Sequence, residues 1–75
     1  MNISGVFSDC KKLISIPENL FKNNVNISSL DATFRGCTKL TSIPESLFKN
    51  NVKIKKVDRL FKDCIRLNKY SRKLI

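Results

Sequence analysis

Apolar and polar positions along this chain follow a pattern that returns every 27 residues. Phe7, Phe34 and Phe61 share that spacing, as do Cys10, Cys37 and Cys64, and Leu13, Leu40 and Leu67. Ile16/Ile43, Leu20/Leu47/Leu74, Val25/Val52 and Ile27/Ile54 continue the apolar columns. Residues 7–33 and 34–60 are identical at 16 of 27 positions. A period this regular predicts stacked copies of one small unit, each burying its apolar face against the next. The units fall at residues 4–30, 31–57 and, in part, 58–75 of a single repeat domain spanning 1–75.

Residues 30–57 form the cleanest copy. The run 39–43 is short and stops at Pro44, which predicts a short strand, because proline cannot donate to a ladder. Residues 44–49 read as a short helical turn, with Pro44 at its first position and Glu45 in its first turn. Asn50 and Asn51 should end it through left-handed backbone, and Pro17, Glu18, Asn23 and Asn24 repeat these signals. Asp58 reads as the N-cap of a second helical turn over 58–63, with Asp31 and Ser4 in the same register. The expected fold class is therefore an α/β repeat: about 2.8 units of 27 residues, each with one short parallel strand and short helical turns.

The string Phe34-x-Gly36-Cys37-x-x-Leu40-x-x-Ile43-Pro44 resembles the BspA-type leucine-rich repeats, and the resemblance runs over nearly the whole chain. It implies a short leucine-rich-repeat-like solenoid and a protein-binding module of a surface or adhesion-type protein. The first unit has Ser8-Asp9 and the third Lys62-Asp63 before the cysteine, so the glycine of the pattern stands only in the middle unit. Tyr70-Ser71 replaces Ile-Pro in the third unit and marks an expected end cap.

Charge changes the picture next. The net charge is +9, distributed as +1 over residues 1–30, +4 over 31–57 and +4 over 58–75. Lys53, Lys55 and Lys56 replace Asn26, Ser28 and Ser29 of the previous unit. A basic asymmetry of this kind suits phosphate, anionic lipid or an acidic protein. The tail Lys69-Tyr70-Ser71-Arg72-Lys73 offers one aromatic among three cations, fewer than the several exposed rings that stack single-stranded bases.

Candidate chemistry is sparse. The chain has no histidine, so the commonest general base and the Ser-His-Asp and Cys-His arrangements are missing. Only two glycines occur, and no Gly-rich phosphate loop. Three cysteines 27 residues apart do not match the close pairs of a zinc site. They read instead as a buried, reduced ladder acting as a small apolar column. No catalytic, cofactor-binding or metal-binding residue is assigned, and no cofactor is expected.

The expected function is a non-catalytic protein-binding or structural module. Its candidate surface is Ser15, Lys39, Thr41, Ser42, Lys53, Lys55 and Lys56. The alternative is a basic binder of nucleic acid or an anionic surface. Partners expected are another protein and, through apolar ends, further copies of the chain. No run of about 18 apolar residues occurs, so no membrane-spanning helix is expected. A cytoplasmic location is the default reading, with a surface or virion location if the chain belongs to a larger protein.

Overall fold

A computed structural model describes residues 1–67. Their backbone is built of short turns: 4–9, 11–12, 18–23, 25–26, 31–36, 38–39, 45–50, 52–53, 58–63 and 65–66. Among the described residues there is no helix. The only ladder pairings among these residues are isolated parallel bridges, Asn2 with Ser29 and Ser29 with Lys56. The expected α/β leucine-rich-repeat-like solenoid, with its regular repeat of strand and helical turn, is therefore corrected. The chain is a compact, mostly coil molecule with a radius of gyration of 11.2 Å.

The hydrogen bonds explain why helices do not form. In the turn 4–9, Val6 and Ser8 donate to the carbonyls of Ile3 and Gly5, three residues back. The residues between them turn outward: Ile3, Gly5, Phe7 and Asp9 donate to Ser29, Asp31, Thr33 and Arg35. A helix needs consecutive amides to bond within the segment, and here alternate amides cross to another part of the chain. The 44–49 segment closes Leu47 to Pro44 and Lys49 to Ser46 by the same alternate pattern. Segments of about six residues are also far below the length at which helix propagation offsets nucleation.

The strand expected over 39–43 is likewise absent, and residues 40–44 are neither turn nor bridge. Asp58 does not cap a helix. Its amide donates to the Asp31 carboxylate at 2.8 Å, which ties two turn segments together. Asn50 and Asn51 do not adopt left-handed backbone. That conformation falls on two other registers: Gly5, Ala32 and Arg59 at φ 71°, 57° and 58°, and Asp9, Gly36 and Asp63 at 61°, 76° and 64°. Each is the third residue of a four-residue turn, the position where a type II turn requires positive φ.

The core lies between the turn segments. Phe34, Ile27, Leu30, Leu40, Thr33 and Cys37 are wholly buried. Phe34 is sandwiched between Phe7 at 5.4 Å and Phe61 at 5.7 Å, with rings within 9° of parallel. Phe21 meets Phe34 edge-on at 6.2 Å and stacks on Phe48 at 5.9 Å. Two expected core positions fail: Val25 and Val52 are 48% and 84% exposed. They sit in the turns 25–26 and 52–53, whose side chains point away from the stack. The register position expected for Leu74, the Tyr70-Ser71 cap and the basic tail lie outside the described residues.

Candidate functional site

All seven candidate surface residues are exposed, but they do not form one site. Lys39 lies in the 38–39 turn, and Ser15, Thr41 and Ser42 lie along the open segments that follow the 11–12 and 38–39 turns. Thr41 donates its amide to Ile14 at 3.2 Å and its hydroxyl to the same carbonyl at 3.5 Å, which anchors this face by main-chain contact. Lys12, Lys39 and Arg66 share one register here and are all exposed, forming a short column of cations.

Lys55 and Lys56 belong to a separate shallow cleft with Asn2, Ser4, Ser28, Ser29 and Asp31. Main-chain hydrogen bonds join the segments that form the cleft. Lys55 and Lys56 donate their amides to the Ser28 carbonyl at 2.9 and 3.3 Å, and Ser28 donates its amide to Met1 at 2.7 Å. Ser4 and Ser29 share a hydroxyl hydrogen bond at 2.8 Å. Lys53 lies just outside, its ammonium donating to the Asn26 side chain at 3.2 Å. The cleft thus offers two cations and several hydroxyls, with one carboxylate, Asp31, already committed to the Asp58 amide.

Asn2, Ser4 and Asp31 were not among the expected surface residues. Their signal was present in their shared registers with Ser29, Lys56 and Asp58, which place them beside the lysine row. A second polar groove is lined by Glu18, Asn19, Lys22, Ser46, Lys49 and Asn50.

The cysteines occupy the core side. Cys37 and Cys64 are buried, Cys10 is half-buried, and none forms a disulfide. The Cys37 thiol donates to the Phe7 carbonyl at 3.3 Å and the Cys64 thiol to the Phe34 carbonyl at 3.0 Å. Burial pushes the Cys37 thiol up to about 11, against a smaller downward pull from the Cys10 backbone. Removal from water disfavours the thiolate, the reactive form. Among the described residues, no group of three or more Cys, Asp or Glu side chains is placed to hold a metal ion. Among the same residues no helix is long and apolar enough to cross a membrane.

Comparison with family models, with curated proteins and with solved structures gave no match for this chain.

Proposed function

We propose that the chain is a non-catalytic binding module whose partner is another protein with an acidic surface. One observation carries this reading. At the cleft the backbone is held by main-chain hydrogen bonds through Ser28, Lys55 and Lys56, and the serine, Asn2 and Asp31 side chains are tied into the fold, so the exposed Lys55 and Lys56 side chains are released from structural work. Where one unit has Asn26, Ser28 and Ser29, the next has Lys53, Lys55 and Lys56, on the same backbone course. A face that keeps its path and changes its side chains is suited to recognition. The resemblance of the Phe34–Pro44 string to BspA-type repeats points the same way.

A second reading is favoured by the exposed column Lys12, Lys39 and Arg66, which would suit phosphate or another anionic surface. Salt and sequence separate the two. Binding of an acidic peptide at about 0.15 M ionic strength, where exposed charges more than about 8 Å apart are screened, should weaken on Lys55→Glu/Lys56→Glu. Single- and double-stranded nucleic acid should show no shift in the same buffer. Micromolar nucleic-acid binding with a steep salt dependence, abolished by Lys12→Glu/Lys39→Glu, would overturn the protein-binding reading.

A further inference from the structure

Two edges of the molecule are complementary to each other. Ile3, Gly5, Phe7 and Asp9 donate amides to Ser29, Asp31, Thr33 and Arg35 at 3.1, 3.0, 3.0 and 2.7 Å. Leu30, Ala32, Phe34 and Gly36 donate in the same way to Lys56, Asp58, Leu60 and Lys62 at 2.8, 2.8, 3.1 and 2.8 Å. Every one of these bonds points the same way along the molecule. One edge therefore ends in acceptors: the carbonyls of Asn2, Ser4, Val6 and Ser8 receive no donor among the described residues. The opposite edge ends in donors: the amides of Val57, Arg59, Phe61 and Asp63 have no acceptor among the described residues. Both sets fall on alternate residues, so their spacing matches.

The side chains agree with the backbone. The acceptor edge carries an apolar hollow that includes Met1, Ile3, Val6, Phe7 and Phe21. Met1 and Val6 are 52% and 58% exposed, whereas Thr33 and Leu60, in the register of Val6, are buried. In the column of three, Phe7 and Phe61 each stack on Phe34 from one side, are half-buried, and have no second stacked ring among the described residues. Cys10 has no thiol acceptor among the described residues, while Cys37 and Cys64 each donate to a phenylalanine carbonyl on the neighbouring segment. Unpaired edges of this kind are templates for further chains.

We propose that a second copy of this chain fills the acceptor edge, docked head to tail. Val57, Arg59, Phe61 and Asp63 of one copy donate to Asn2, Ser4, Val6 and Ser8 of the next. Phe61 stacks on the next copy's Phe7, and that copy's Cys10 thiol donates to the Phe61 carbonyl. Pairing two like edges would set carbonyl against carbonyl or amide against amide, so only opposite edges satisfy the groups. A contact between different surfaces does not close on itself, and assembly continues beyond two copies. The net charge of +9 opposes it, and salt screens that repulsion. The inference draws on the main-chain carbonyls of Asn2 and Ser4, which border the proposed binding cleft, but on none of its lysines, and its test does not read binding at that cleft.

Sedimentation velocity over a concentration series is the test. The average mass should rise with concentration past that of a dimer, and should rise further when salt is added. Labelling of Cys10 by a thiol reagent should slow in parallel, with Cys37 and Cys64 slow throughout. Val6→Arg blocks the acceptor edge and Val57→Arg the donor edge, so each variant alone should stay monomeric. Mixed in equal amounts, they should form a heterodimer and stop there, because each still carries the edge the other needs. That restoration also shows that both variants are folded. Mass and Cys10 labelling of the parent that do not change with concentration at any salt would overturn the proposal. So would growth of the parent that halts at a dimer.

Discussion

Six residues hold left-handed backbone, in two registers, and they are not equally suited to it. Glycine at Gly5 and Gly36 takes φ of 71° and 76° without strain, and aspartate tolerates this region better than most residues. Ala32 and Arg59 have no such excuse, and the left-handed region costs an ordinary side chain roughly 1–2 kcal/mol. Ala32→Gly should therefore stabilise the fold, by up to about 1 kcal/mol after the added freedom of the unfolded chain is subtracted. Gly36→Ala should do the opposite, since its new methyl would also collide with the Asp9 carboxylate. Scanning calorimetry of the two variants reads both signs, and a lower midpoint for Ala32→Gly would contradict the assignment.

The cysteines belong to the same scale. Cys37 holds its proton in the folded state up to about 11, above the ordinary thiol value of 9.0 that the unfolded chain keeps. Its contribution to stability is fully present below the unfolded value and is lost as pH rises through the folded one. Stability should fall across that window by up to about 1.4 kcal/mol per pH unit, and Cys37→Ser should flatten the decline. A denaturation midpoint independent of pH from neutrality to the upper end of the window would contradict it. The buried cysteine column was legible from the common spacing of Cys10, Cys37 and Cys64. The half-exposure of Cys10 was not, because the spacing says nothing about which copy lies at an open edge.

At the scale of the element, the decisive feature is the alternation of local and cross-segment hydrogen bonds. Turn positions were legible: Pro17 and Pro44 do begin closed turns, accepting from Leu20 and Leu47. The assignment of those turns as helical was not, because residue identity does not say whether an amide bonds three residues back or to another segment. Asn51 illustrates the limit. It reads as a helix-ending residue, yet it is buried and its side-chain amide donates to Phe21 at 3.0 Å and Asn24 at 2.8 Å. It clamps the 45–50 turn to the 18–23 turn. Asn51→Ala leaves two carbonyls without that donor and should cost roughly 1–3 kcal/mol. Faster amide exchange confined to these two turns would show the clamp acting locally, and unchanged exchange would dismiss it.

For the whole molecule, the aromatic stack around Phe34 sets the stability. The ring is wholly buried and touches Phe7, Phe21 and Phe61. Phe34→Ala should cost roughly 3–5 kcal/mol, enough to unfold a domain of this size. A calorimetric transition near that of the parent would show that the stack is not the centre of the fold. The Phe, Cys and Leu columns were readable from their period, since burial follows from apolar identity at a fixed register. The candidate surface was readable only as exposure: Ser15, Lys39, Thr41 and Ser42 sit apart from the cleft at Lys55 and Lys56, and backbone path alone decides that separation.

The turn-built backbone also governs how this protein looks in solution. Among the described residues it has neither helix nor extended ladder, and the chain has no tryptophan. Its far-ultraviolet circular dichroism should therefore resemble that of a disordered polypeptide while the chain is fully folded, and fluorescence offers only the weak emission of a single tyrosine. A laboratory screening by these two signals would discard a well-packed sample as unfolded.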